Sequence, residues 1–140
     1  MDEIDEKIIA ILKENGRASY TEIGEKTGLS EGAVRRRVKT LLDSGPIKKF
    51  TIQVGVEKGA KAIALLSIRP SIPASEISGS LIRIKGVENA FEVTGEYDIA
   101  VILSASNVKE VNHCIDEIRS IDGIMNTNTM IVLREWGSEF

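Results

Sequence analysis

The chain is poor in the residues that carry most chemistry. A single cysteine, Cys114, excludes an intrachain disulfide and points to a reducing compartment, so the chain reads as cytoplasmic. A single histidine, His113, leaves no Cys/His zinc constellation. Aromatic residues make up 4% of the chain, so each one in a loop asks for a reason. No apolar run approaches the roughly 18–20 residues of a membrane span, and no membrane partner is expected. The opening residues Met1-Asp2-Glu3-Ile4-Asp5-Glu6 are acidic where a secretory leader would be basic. There is no excess of cations either. The 18 Lys and Arg stand against 21 Asp and Glu, net −3, which rules out a uniformly basic nucleic-acid binder. With 42% hydrophobic and 28% charged residues, wholesale disorder is also excluded.

What is present is unevenly placed. Residues 1–34 carry net −4, and residues 51–140 carry net −4. Between them, residues 35–50 hold Arg35, Arg36, Arg37, Lys39, Lys48 and Lys49 against one Asp43, net +5. Charge so concentrated points to a local anionic partner. The 140 residues fit two units of about 50 and 80 residues, each marginal alone.

Ile4, Ile8, Ile11 and Leu12 recur at helical spacing, predicting an amphipathic helix over 3–14 that stops at Asn15-Gly16. Ser19 and Glu22 have capping-box spacing for a short second helix from Tyr20, burying Ile23 and ending by Gly28. Ser30 then caps a third helix with Val34, Val38, Leu41 and Leu42 as its apolar stripe, stopped by Gly45-Pro46. Two helices joined by a short turn holding Gly28 form a helix-turn-helix pattern. Gly24 fits this, since steeply crossing helices need a small residue at their contact. Ile52, Val54 and Val56 alternate with Thr51, Gln53 and Gly55, which predicts a strand-like connector over 51–60.

The remainder, 61–140, repeats itself at an offset of 37. Ile84-Lys85-Gly86-Val87 returns as Ile121-Asp122-Gly123-Ile124, Leu65-Leu66-Ser67 as Ile102-Leu103-Ser104, and Asn89 as Asn126. Each copy reads strand, helix, Gly turn, strand. The helices show Ile77, Leu81 and Ile84, then Val108, Val111, Ile115 and Ile118. In the second strand, Val87, Phe91 and Val93 alternate with Glu88 and Glu92, giving one wet face. Two such copies make a β-α-β-β-α-β, ferredoxin-like sandwich with its helices on one face. The fold class is therefore α+β: a helical unit (1–50), a linker (51–60) and a sandwich (61–140).

On a helical wheel of about 100° per residue, the third helix presents Ser30, Glu31, Gly32, Arg35, Arg36 and Lys39 away from its stripe. Those positions enter the major groove in helix-turn-helix docking. Arg can grip guanine O6 and N7, and Gly32 lets the backbone come close. Lys48 and Lys49 fit phosphate contacts. The competing reading is a solvated basic face paired with nearby Glu. Arg37 leans toward the stripe and reads as structural, with its head paired to a carboxylate.

Thr94-Gly95-Glu96-Tyr97-Asp98 joins the two repeats. A turn explains Gly95 and Asp98 but not Tyr97. Tyr97 beside a carboxylate and free N–H groups could hold an amino acid, with Asp98 on the ammonium. Both readings stand on the residues alone. Asn126-Thr127-Asn128-Thr129 adds polar groups to the last strand. His113 reads as an exposed bystander and Cys114 as a small core filler. Glu92, Glu96 and Asp98 imitate a catalytic acid cluster, but no nucleophile, metal spacing or phosphate loop accompanies them, and no enzyme is expected.

With its helix-turn-helix runs Asp2–Leu12 and Ser19–Lys39, its strand linker and its βαββαβ half carrying Thr94–Asp98, the chain resembles the Lrp/AsnC family of leucine- and asparagine-responsive regulators over essentially its whole length. The resemblance implies a winged-helix-like DNA-binding domain and an ACT-like ferredoxin domain. It implies a regulator of amino-acid metabolism, without a cofactor, that binds double-stranded DNA. It also implies self-association as dimers, often gathered into octamers, with an amino-acid effector held between subunits. Carried over by motif, Gly95, Tyr97 and Asp98 would line that pocket, with Thr127 and Thr129 as further candidates, and Ser30, Arg35, Arg36 and Lys39 would meet DNA. One departure is Pro46, where the family has an aliphatic residue. It fixes φ and removes an N–H, so it is expected to stiffen or re-aim the linker. An effector-independent architectural DNA binder and an amino-acid-sensing subunit of an enzyme are the alternatives.

Overall fold

A computed structural model describes residues 1–54 and 58–137. They form two compact units that part at residues 55–56. In the first, α1 spans Glu3–Glu14, α2 Tyr20–Thr27 and α3 Glu31–Ser44. Each start is chemically marked. Asp2 and Asp5 exchange side-chain-to-backbone hydrogen bonds in a capping box, and Ser19 and Glu22 do the same for α2. Ser30 Oγ accepts from Ala33 N at 3.2 Å. Ile8, Ile23, Val34, Val38 and Leu41 form the buried core, with Ile47 packed against it.

Two expectations shift here. Leu42 is not part of the stripe but 38% exposed, because Ile47 folds back instead, its N–H donating to Leu41 O at 3.0 Å. Gly24 is indeed buried, yet its close neighbour is the turn and not a crossing helix. A Cβ there would strike the Leu29 carbonyl, while Gly24 O accepts from both Gly28 N and Leu29 N. Pro46 leaves the helix end intact, since Gly45 takes the left-handed conformation (φ 100°) and Ile47 supplies the donor that Pro46 lacks.

The expected linker strand is corrected over residues 51–54, which form no strand among the described residues; Ile52 is 81% exposed and Val54 is exposed as well. Val56, the third residue of that alternation, lies outside the described residues.

The second unit is β1 (Ala60–Ile68), α4 (Ala74–Leu81), β2 (Val87–Glu92), β3 (Ile99–Ala105), α5 (Val108–Arg119) and β4 (Ile124–Ile131). The sheet is antiparallel throughout, in the order β2-β3-β1-β4. The sequence repeat becomes a pseudo-two-fold in the sheet. Ala64 pairs with Val101, Ala62 with Leu103 and Leu66 with Ile99, so equivalent positions face each other about the Ala64–Val101 pair. Directly paired residues share a face. Ala62, Ala64, Leu66, Ile99, Val101 and Leu103 therefore line one face, buried with Ile77 and Leu81 of α4 and Val111, Cys114, Ile115 and Ile118 of α5.

Even the irregularities repeat. β2 bulges at Glu88 and β4 at Met125, 37 residues on, each after a glycine of positive φ (Gly86, Gly123). The bulge corrects the expected alternation of β2. It inserts one residue, so Ala90 opposite Val101 faces the helices. Phe91 and Val93 are left exposed. Val108, also expected in a buried stripe, is exposed as the first residue of α5. His113 is exposed, and Cys114 is buried with its thiol pushed up by that burial.

Candidate nucleic-acid interface and ligand hairpin

The periodicity of α3 separates two faces. Val34, Val38 and Leu41 are buried; Ser30, Glu31, Gly32, Arg35, Arg36 and Lys39 are all exposed. Their states differ. Arg35 Nη2 donates to Glu31 Oε1 at 2.7 Å, and its guanidinium lies 5.6 Å from the centre of the Tyr20 ring. Lys39 pairs with Asp43 at 3.4 Å. Arg36 forms no ion pair among the described residues, and nor do the exposed Lys48 and Lys49 beyond the helix. Arg35 and Lys39 are thus each paired with a carboxylate four residues away, while Arg36, Lys48 and Lys49 are uncommitted among the described residues.

Arg37 behaves differently. Its Nη1 donates to Asp2 Oδ1 and Oδ2 at 3.0 and 2.8 Å and to Asp5 Oδ1 at 3.0 Å. The same carboxylates cap α1, so one guanidinium ties α3 to the first turn of α1. It also holds the Asp2 carboxyl well below its ordinary value, at about 2.

In the second unit, residues 93–98 join β2 to β3. Gly95 takes φ 108° at the turn, and Val93 N donates to Asp98 O at 3.0 Å. Asp98 continues the sheet by other means. Its N–H donates to Leu66 O at 2.8 Å, and its Oδ2 accepts from Ile68 N at 2.9 Å. The carboxylate thereby stands in for a backbone acceptor where β1 leaves the ladder. Tyr97 is half-buried, and its Oη accepts from Asn128 Nδ2 at 3.3 Å.

Gly95, Tyr97 and Asp98 are brought together by the hairpin itself. Thr127 and Thr129 are not brought to them. They pair with Leu66 and Ala64, so they point to the helix face. There Thr127 Oγ1 accepts from Arg119 Nε at 3.0 Å, and Thr129 Oγ1 is buried without a hydrogen-bond partner among the described residues. Asn128, opposite Leu65 on the other face, is the β4 residue that meets Tyr97. The alternation of Asn126 and Asn128 with Thr127 and Thr129 carried this signal, but strand parity could not say which set faced the helices. Among the described residues, no group of three or more His, Cys, Asp or Glu could hold a metal ion, and no helix is long and apolar enough to cross a membrane.

A three-helix unit with a helix-turn-helix, followed by a βαββαβ sandwich, is the architecture of a ligand-binding transcriptional regulator. Family models match both parts: an AsnC-type helix-turn-helix domain over residues 1–42 and an Lrp/AsnC ligand binding domain over residues 61–139. The chain belongs to the Lrp/AsnC family of helix-turn-helix transcriptional regulators, and it is a regulator, not an enzyme. It is 44% identical to the HTH-type transcriptional regulator LysM of Sulfurisphaera tokodaii over 136 residues, 97% of each chain. It is 46% identical to LysM of Saccharolobus solfataricus, covering 97% of this chain and 96% of that one. Among solved structures, a transcriptional regulator of Neisseria meningitidis in complex with L-Met is 28% identical, with a TM-score of 0.80 over 99% of this chain and 94% of that one. The feast or famine regulatory protein of M. tuberculosis complexed with L-methionine is 25% identical, with a TM-score of 0.84 over 99% and 95%.

Proposed function

We propose that the protein reads specific double-stranded DNA with α3, as a dimer or larger assembly, and controls genes of amino-acid metabolism in response to a free amino acid bound at the Gly95–Asp98 hairpin between subunits. The observation that carries the DNA reading is the division of α3. A buried apolar stripe fixes the helix, and Glu31, Gly32, Arg35, Arg36 and Lys39 stand exposed behind a capped N-terminus. Arg36 is the base-reading candidate, since no carboxylate among the described residues pairs with it. Lys48 and Lys49 fit phosphates, which makes affinity fall with salt at about −0.9 in log–log slope per phosphate on B-DNA. Arg36→Ala is expected to lose about 1–3 kcal/mol on the selected site and to relax preference at one position. Gel shifts over a salt series check this; unchanged binding removes Arg36 from the interface.

Relatives held with L-methionine support an amino acid as effector class. Tyr97, Asn128 and Asp98 offer a hydroxyl, an amide and a carboxylate to such a ligand. Assembly is the natural route for the signal, because a ligand shifts an equilibrium only by its unequal affinity for two states. The sheet face away from the helices carries Ile63, Leu65, Phe91, Ile102 and Met130, an apolar surface that a second copy would cover.

A second reading, effector-independent DNA binding with the hairpin as a turn only, draws on the Asp98–Ile68 hydrogen bond, which already occupies one carboxylate oxygen. Asp98→Asn separates the two. It keeps an acceptor for Ile68 N–H but removes the charge. Calorimetry with a panel of amino acids is expected to show binding to the wild type and about tenfold or greater weakening in Asp98→Asn, at similar melting temperature. If no amino acid binds or alters DNA affinity, the turn-only reading stands. DNA selected and sequenced with and without those amino acids identifies the sites and the response.

A further inference from the structure

We propose that Glu31 and Arg35 work as a couple that reads one G·C base pair, with Glu31 keeping Arg35 off the phosphates until that pair is met. The proposal rests on the reading that α3 enters the major groove. Neighbouring arginines of α3 differ. Arg36 forms no ion pair among the described residues, whereas Arg35 is held twice, by Glu31 at 2.7 Å and by the face of Tyr20. Tyr20 is the first residue of α2 and Glu31 the first of α3, so the guanidinium is contacted from both helices, on the exposed side of α3. Orienting an arginine before binding lowers the entropy lost on docking.

The carboxylate is the informative group. On a surface that must approach phosphates, an anion is repelled. It is tolerated if it meets a hydrogen-bond donor, and the base-edge pairing that suits Glu is with cytosine N4. Guanine of the same pair presents O6 and N7, two adjacent acceptors that suit a guanidinium. Glu31 and Arg35, already side by side, match the acceptor–acceptor–donor order of a G·C edge. An A·T edge alternates acceptor and donor and cannot take Arg in two hydrogen bonds. Both side chains are largely exposed, 63% for Arg35 and 55% for Glu31, so their mutual pair is weak and can be exchanged for base contacts. On random DNA no such exchange is offered, and Glu31 offsets the charge of Arg35.

The test uses the full chain. DNA is selected from a random pool by wild type, Glu31→Ala, Glu31→Gln and Arg36→Ala, and affinities for the selected and a random duplex are measured over a salt series. The wild type is expected to fix a G·C pair that Glu31→Ala leaves degenerate, with roughly a tenfold loss in the ratio of selected to random affinity. Glu31→Gln should move that position toward A·T, since Gln pairs with adenine N6 and N7. Both variants should bind random DNA more tightly, with a salt slope steeper by about 0.9. Unchanged selection and slope in the Glu31 variants, with Arg36→Ala impaired, overturns the couple alone. If Arg36→Ala is also silent, α3 does not read DNA, and both proposals fall.

Discussion

Gly24, Arg37 and Asp98 show how single residues decide geometry in this chain. Gly24 was legible as a required small residue, but its reason was not. The Leu29 carbonyl lies where its Cβ would be, so the constraint comes from the turn closing over α2. Gly24→Ala is expected to destabilise by about 1–3 kcal/mol, an overpacking cost against backbone that cannot move aside. Thermal unfolding checks it, and an unchanged melting temperature would show that the turn yields freely. Arg37 was legible as structural because it leaned toward an apolar stripe, yet its partners, 35 and 32 residues away, were not. Asp98 was legible as a turn former, whereas its bond to Ile68 N–H depends on where β1 ends, which local sequence does not contain.

Elements were the most legible scale. The capping spacings of Ser19 and Ser30 and the stop at Gly45 sit where α2 and α3 begin and end. In two places an irregularity breaks a regular period. One added residue at Glu88 turns Phe91 outward, and one returning residue, Ile47, replaces Leu42. The first turn of α1 carries its own pH dependence. The folded Asp2 carboxyl titrates at about 2, below its ordinary 3.8, so the folded state binds its proton less readily than the unfolded chain does. This contribution is therefore complete above about pH 5 and is lost as pH falls through 3.8 toward 2. The stability gap between wild type and Asp2→Asn, from denaturant melts, should be constant near neutrality and shrink across that acid window. A gap that stays constant down to pH 2 would show that the Arg37 tie does not hold Asp2 charged.

For the whole molecule, the 37-residue repeat was plain in the sequence, but its consequence, a pseudo-two-fold through Ala64 and Val101, appears only in the register. The same register gathers Ile63, Leu65, Ile102 and Met130 onto the face without helices. Ile102→Glu, opposite Ile63, is expected to leave the sandwich folded, since that face is outside its core. It should shift the protein toward monomer in sedimentation velocity and weaken binding to paired half-sites, because a buried unpaired charge is costly at an interface. An unchanged sedimentation coefficient would remove this face as the proposed subunit contact.

Within residues 1–50 and 61–140, the number, order and type of elements, the helix-turn-helix and the basic block on and just after its third helix were legible in the residues alone. These follow from local periodicity, caps and turns, which are properties of neighbouring residues. It took the packed structure to show that the carboxylates holding Arg37 are those of Asp2 and Asp5 and that Arg36 is uncommitted among the described residues. It also decided that Asn128, not Thr127 or Thr129, meets Tyr97, and which face of the sheet is left open. Each of these depends on strand register or on contacts between residues distant in the chain, and such contacts are set by packing, which no local pattern encodes.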